Sequence, residues 1–286
     1  MTQVIVNGLV LSANYALIAL GITLIFSIMR ILNFAHGQMY MIGGFVVYYL
    51  YGVFGWNYFI ALIAAALILA VIGAAFEKFL FRRVLAKSTR EENSMLLAVG
   101  SALLLESLAL LVFGEKQRGV PPIAEGVIFI FDAYLPVARL IVFLFSLVFI
   151  AALLSFVRFT KPGRALRAIA QNKEVTYLMG VNVDRMSSVG FAIGAGLAGV
   201  AGALLVTFLA VNSGVGTPLS IKAFIMIMIG GAGVVSGAIL GAVVLGFAEA
   251  IGYSIFAGPE VYLFIFIGVI IFLIIRPQGI MGKPWG

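Results

Sequence analysis

The chain has 286 residues, of which 63% are hydrophobic and only 10% charged, with a mean hydropathy of +1.19, so it cannot hide its apolar surface in a water-soluble core. Zero cysteines exclude disulfides, thiolate metal sites and cysteine nucleophiles, and a single histidine, His36, excludes a multi-histidine metal site. The net charge of +7 would suggest nucleic acid in a soluble protein. Here the cations cluster in loops, the pattern of a membrane protein with positive loops facing the cytoplasm, and no nucleic-acid partner is expected.

In chain order, segments long enough to span a bilayer fall at 4–29, 38–55, 57–80, 93–114, 137–157, 186–211, 234–254 and 260–275, and a shorter apolar piece lies at 219–231. The expected fold is all-α: residues 1–286 form one polytopic membrane helix bundle, with about eight full transmembrane helices plus one short or broken helix. No Lys or Arg precedes the first segment, which is too long for a signal-peptide core, so it reads as a retained helix with its N-terminus outside. Three basic segments share one side if 219–231 crosses or half-crosses: 82–92 with Arg82, Arg83, Lys87 and Arg90, then 158–185, then the tail with Arg276 and Lys283. That side, which also holds Arg30 and the C-terminus, is the cytoplasmic one, and 115–136 and 212–218 face outward. Two interruptions stand out, the polar run from Arg30 to Gln38 and Gly230-Gly231-Ala232-Gly233. Each fits either non-helical backbone held inside the protein along a substrate route or a tight turn at the membrane surface.

Gly190, Gly194, Ala198 and Gly202, and again Gly233, Gly237 and Gly241, recur every four residues. Such stripes predict closely crossing helices, because in lipid tight backbone contact replaces the hydrophobic drive for association. Polar groups inside apolar segments are candidates for the translocation path: Asn14, Asn33, His36, Gln38, Glu106 and Glu249. Glu106 could line the path or be a neutral acid bonded to a neighbouring helix. Glu249 and Lys222 both fall toward the outer half and can pair. His36 could gate in response to pH, or serve as a hydrogen-bonding group where Gly37 lets the chain turn.

The segment from Arg158 to Arg185 carries Arg158, Lys161, Arg164, Arg167, Lys173 and Arg185, six of the eighteen basic residues. Pro162 and Gly163 start a new helix, on which Ala165, Leu166 and Ile169 form an apolar face and Arg164, Arg167 and Gln171 a polar one. A second piece, Glu174 to Met179, ends at Gly180, a good helix terminator. Resting on anionic lipid would explain the charge. It would not explain the stop at Gly180 or the adjacent Leu178 and Met179, which favour docking onto a soluble partner. The chain has no G-x-x-x-x-G-K-[ST] phosphate loop, so an ATP-driven process would draw on a motor in another polypeptide.

Several short stretches, in this order, resemble the permease subunits of bacterial and archaeal branched-chain amino acid ATP-binding-cassette importers, specifically the LivH-type subunit. They are Asn14-Tyr15-Ala16-Leu17-Ile18-Ala19 with Gly21, Asn33-Phe34-Ala35-His36-Gly37, Tyr40-Met41-Ile42-Gly43, Gly163-Arg164-Ala165-x-Arg167-Ala168, and Met179-Gly180-Val181-Asn182 with Asp184-Arg185. Lys222-Ala223-Phe224, Gly230-Gly231-x-Gly233, Gly237-Ala238, Gly246-x-Ala248-Glu249-Ala250 and Arg276-Pro277-Gln278-Gly279 complete the set. The family often has Glu where this chain has Gln38.

The resemblance implies a multi-pass subunit of the inner (plasma) membrane, in contact with lipid and without catalytic activity or cofactor of its own. Its partners would be a second, LivM-type permease, two cytoplasmic ATPases that bind ATP and magnesium, and an extracytoplasmic substrate-binding protein. Gly163, Arg164, Arg167, Glu174, Leu178, Met179 and Gly180 would then form the region coupled to the ATPase. The cargo would be a branched-chain amino acid or a related small solute, since similar permeases serve urea, amide and aromatic-acid importers. No ion pair in the sequence is evidently built for a zwitterion. An ion-coupled secondary transporter with Glu106 or His36 as its proton site is the alternative.

Overall fold

The computed structural model of the protein describes residues 1–87, 92–130, 132–256 and 258–282; Arg90 of the first basic loop and Lys283 of the tail lie outside the described residues. Every apolar segment expected from the sequence is helical. α1 spans Thr2–Met29, and α2, His36–Val47, continues as a π-helical turn over Tyr48–Val53. α3, Tyr58–Phe76, runs through a second π-helical turn, Glu77–Phe81, into α4, Arg82–Lys87. α5 is Glu92–Phe113, and α6 is Val137–Phe159. Two short helices follow, α7 over Lys161–Gln171 and α8 over Lys173–Leu178. α9 (Val183–Leu205), α10 (Gly216–Gly230), α11 (Val235–Ile255) and α12 (Glu260–Ile275) complete the chain.

Among the described residues six helical stretches are long and apolar enough to cross a membrane, and α10 and α12 are shorter apolar helices. The protein is a multi-pass membrane helix bundle. One element has no counterpart in the expectations, an antiparallel hairpin of β1 (Val127–Ile130) and β2 (Ala133–Pro136). Its β-branched and aromatic residues suit a pleated pair. It caps the start of α1, where the Tyr134 amide donates to Gln3 Oε1 at 3.1 Å.

α1 and α9 form the centre. α1 is buried almost continuously from Val10 to Phe26, and every residue of α9 from Gly194 to Leu205 is buried. The small residues let backbones meet. A Cβ on Gly21 would stand 2.7 Å from the Gly194 carbonyl oxygen, and one on Gly202 would collide with that of Tyr40. Both glycine stripes therefore mark helix crossings, α9 on α1 and α2, and α11 on α10 through Gly237 against Gly230. α5, α6 and α12 lie outside and keep apolar faces exposed, including Leu111, Val148 and Ile274.

The two ends differ in charge as expected. At one end Arg82 donates to the Asp184 carbonyl, Leu166 and Ile28 flank Gly190, and the tail packs on Gly231, so the basic segments gather together. At the other, Arg139 donates to Asn7, and Arg118 and Val211 exchange backbone hydrogen bonds.

The two interruptions resolve differently. α1 ends in a left-handed Arg30 (φ 57°), after which Ile31, Asn33, Ala35 and His36 are all buried. The His36 ring lies against Gly21, about 12 Å before the end of α1. Residues 30–35 thus run back into the bundle, and α2 starts inside it. The glycine break, in contrast, is a turn at the basic end. There the tail supplies the donors that the last carbonyls of α10 lack: Ile280 N to Ile229 O at 2.8 Å, and Met281 N to Gly230 O at 3.0 Å.

Gly202→Ala should lower the detergent melting temperature, by an amount equivalent to about 1–3 kcal/mol of overpacking. Gly100→Ala, where a Cβ would meet nothing within 4 Å, should leave it unchanged or raise it slightly.

Candidate functional site

The strongest buried electrostatic feature joins four helices. Glu249 of α11 is 2% exposed, and its Oε1 lies 2.8 Å from Lys222 Nζ of α10. Tyr15 OH of α1 donates to Glu249 Oε2 at 2.7 Å. Lys222 Nζ donates to Tyr15 OH at 2.8 Å and to Tyr262 OH of α12 at 3.0 Å, and Tyr253 OH bonds Tyr262 OH at 2.8 Å. The ammonium also sits over both rings, 5.2 Å from the Tyr15 centroid and 4.8 Å from that of Tyr262. A carboxylate this deep is costly unless it is paired and hydrogen-bonded, and here it is both.

Lys222, Tyr15 and Tyr262 border a cavity of about 630 Å³. Its other walls are Tyr40 of α2, the end of α9 (Gly202, Leu205), the irregular segment 206–215, the start of α10 and Phe266 of α12. The size falls within the range of small-molecule sites. Most of the wall is aliphatic or aromatic, and Lys222 is its cationic residue.

Beyond the start of α10 lies a smaller cavity of about 310 Å³, bordered by Glu106, Leu110, Glu115, Asn212, Ser213 and Gly214. Thr217, on the wall of the larger cavity, donates to Glu106 Oε2 at 2.5 Å, and Gln38 Nε2 donates to both at 3.1 Å. Glu106, Thr217 and Gln38 therefore tie together α5, α10 and α2. Nearby, Ser220 Oγ donates to the Phe34 carbonyl at 2.6 Å and accepts from the Gly37 amide at 2.9 Å. This pins the inner start of α2 to α10.

Of the six path candidates, Glu106 borders one of these two cavities and the other five are buried in contacts between segments. Asn14 Nδ2 donates to the Ala201 carbonyl at 3.2 Å, and Asn33 Oδ1 accepts from the Ala35 amide at 3.1 Å. His36 and Gln38 are fully buried, and Glu249 stands behind Lys222. Tyr40, Thr217 and Tyr262 were not expected. Tyr262 shows in the sequence only as a tyrosine early in an apolar run, a signal shared with lipid-interface tyrosines.

At the basic end α7 is amphipathic, and side chains cap the starts of α7, α8 and α9. Thr160 Oγ1 accepts from Gly163 N, Asn172 Oδ1 from Val175 N, and Asn182 Oδ1 from Arg185 N, at 3.0, 3.0 and 2.9 Å. Leu166 and Ile169 are buried against the bundle, whereas Arg164, Arg167 and Glu174 are exposed. Leu178 and Met179 are 81% and 79% exposed, just before Gly180 turns with φ 82°. The exit into α9 is fastened to α3, since the buried Glu77 carboxylate accepts from Arg82 at 2.6 and 3.1 Å and from Ser188 Oγ at 2.5 Å. Among the described residues no group of three or more His, Cys, Asp or Glu is placed to hold a metal.

A family model described as branched-chain amino acid transport system / permease component matches residues 4–275. The chain belongs to this permease family. It is 31% identical to the high-affinity branched-chain amino acid transport system permease protein LivH of Escherichia coli K12, over 99% of this chain and 96% of the relative. It is 32% identical to BraD of Pseudomonas aeruginosa with the same coverage, and 26% identical to a probable LivH of Methanocaldococcus jannaschii over 99% and 93%. No solved structure matches. The short motifs that carry the resemblance meet in space: Phe34 stacks on Phe224 at 5.8 Å, Tyr15 bonds Glu249, and Gly279 packs on Gly231.

Lys222→Met alone should destabilise the purified protein strongly, on the order of 3–5 kcal/mol, by stranding Glu249. Lys222→Met combined with Glu249→Gln should recover most of that loss, as read by detergent melting of the two variants side by side.

Proposed function

We propose that the chain is the membrane subunit of an ATP-driven importer that moves a branched-chain amino acid, or a closely related small aliphatic solute, by alternating access. The observation that carries this is the exposed apolar end of α8 at the basic end of a bundle whose relatives are named branched-chain amino acid transport permeases. Val175, Tyr177, Leu178 and Met179 are all more than half exposed on a helix outside the apolar spans. Water-facing apolar side chains so placed suit a protein partner. In this reading the basic end is cytoplasmic, the N-terminus is outside, and the chain sits in the inner (plasma) membrane.

Arg164, Arg167, Glu174, Leu178 and Met179 dock on one of two ATPases that supply the ATP and magnesium chemistry. A second permease completes the path, and an extracytoplasmic binding protein delivers the solute. α9 is the transmitting rod: 23 residues, about 34 Å long, it starts just after the docking helices and ends on the wall of the larger cavity. Closure of the ATPases would push α8, tilt α9 and α3 together through the Glu77–Arg82–Ser188 contact, and open or shut the cavity. The ion-coupled alternative has less support, because His36 borders neither cavity and Glu106 is engaged by Thr217 and Gln38.

Purification of the tagged chain in mild detergent, with partners identified by mass spectrometry, should recover a phosphate-loop ATPase and a second permease. Replacing Arg164, Arg167 and Leu178 together by alanine should abolish ATP-dependent uptake while the bundle stays folded. Recovery of the chain alone, or full coupling in the triple variant, would refute the reading.

A further inference from the structure

The larger cavity is asymmetric in its chemistry, and the asymmetry names one end of its ligand. Leu205, Val206, Leu209, Leu219, Ile221 and Phe266 make an apolar wall, while Lys222, Tyr15 and Tyr262 make a polar pole. Two Lys222 N–H groups go to Tyr15 and Tyr262, and the ammonium also touches Glu249 Oε1 at 2.8 Å. The Lys222 ammonium can only donate, and Tyr15 directs its proton away from the cavity to Glu249. Tyr253 and Tyr262 share a single hydrogen bond, and Tyr262 also accepts from Lys222. Tyr253 donates to Tyr262, so the Tyr262 hydroxyl proton has no acceptor among the described residues. Glu249 offsets the charge of Lys222 but does not border the cavity, so the face turned to the cavity is the cationic one.

α9 ends at the cavity, where the carbonyls of its last turn are already engaged: Ala203 by Tyr58 OH, Leu204 by Thr207 Oγ1, and Leu205 by the Phe208 and Leu209 amides. Leu205 and Val206 border the cavity at that end. No Asp or Glu is among the described residues that border it.

We propose that this cavity binds the substrate, with Lys222 and the Tyr262 hydroxyl holding the carboxylate of a neutral aliphatic α-amino acid. The apolar wall takes the branched side chain. Glu249 is a positioning residue that fixes the Lys222 ammonium at the pole. The assignment rests on the importer reading for its cargo class. It adds the group recognised and the residues that recognise it. A lysine ammonium and a phenol compensate a desolvated carboxylate, whereas a substrate with a second cationic group finds no acidic side chain here.

The test is equilibrium binding of tritiated leucine to the permease–ATPase complex in nanodiscs without the binding protein, with two truncated competitors. 4-Methylpentanoate keeps the carboxylate and lacks the ammonium; 3-methylbutylamine has the converse. The acid should displace leucine and the amine should not. Tyr262→Phe, which removes one hydroxyl at constant charge, should weaken leucine binding several-fold. Lys222→Met with Glu249→Gln, which removes the cation while keeping the site neutral, should weaken it by at least about tenfold.

Displacement by the amine as readily as by the acid, or wild-type leucine affinity in both variants, would overturn the assignment. ATP-dependent leucine uptake by the wild-type complex with its binding protein separates the two levels. If uptake persists while the variants bind normally, the Lys222 site alone is wrong. If the wild-type complex shows no such uptake, the importer reading fails.

Discussion

Helices in lipid have no hydrophobic reason to associate, so this bundle depends on how closely its backbones approach. α9 provides that contact. Its glycines and alanines admit α1 on one side and α2 and α3 on others, and its buried half holds no side chain larger than leucine. The rest of the structure hangs from this rod: α7 and α8 precede it, a cavity wall follows it, and the inner start of α2 rests beside it. A bulky residue anywhere on that stripe displaces several helices at once.

Against this apolar frame the polar groups divide the labour. Backbone that leaves helical geometry at depth must find partners, and the residues 30–37 find theirs in Asn33 and Ser220. Glu106 is held by Thr217 and Gln38, and Glu249 by Tyr15 and Lys222. Apart from the local Asn33 contact, each joins segments that are distant in sequence and so fixes register between helices whose apolar surfaces could slide. Glu106 and Lys222 also border cavities. The larger cavity, beside Lys222, is the one to which the proposed substrate assignment refers.

The sequence revealed much of this frame, because span length and charge asymmetry are one-dimensional signals. The apolar runs, the gathering of basic segments at one end, the glycine stripes and the exposed pair Leu178 and Met179 are all readable from single stretches. What could not be read is what depends on three-dimensional register. Glu249 and Lys222 could be suggested as partners from their depth alone, but Tyr15 and Tyr262 complete the site from opposite ends of the chain. Polar residues inside helices made a poor guide to the cavities, since Asn14 and Asn33 satisfy neighbouring backbone and His36 is fully buried against Gly21. The β1–β2 hairpin escaped because its apolar residues read as loop between two spans.

The absence of cysteine makes one measurement especially direct, because any single cysteine is a unique label. Tyr177→Cys, exposed on α8, and Phe129→Cys, on the exposed hairpin, would each be treated with a membrane-impermeant maleimide in spheroplasts and in inside-out vesicles. Position 129 should label in spheroplasts alone. Position 177 should label in inside-out vesicles alone, and there only after the ATPase subunits are stripped away. Labelling of position 177 from outside, or undiminished labelling with the ATPases in place, would contradict a protein driven from its basic end.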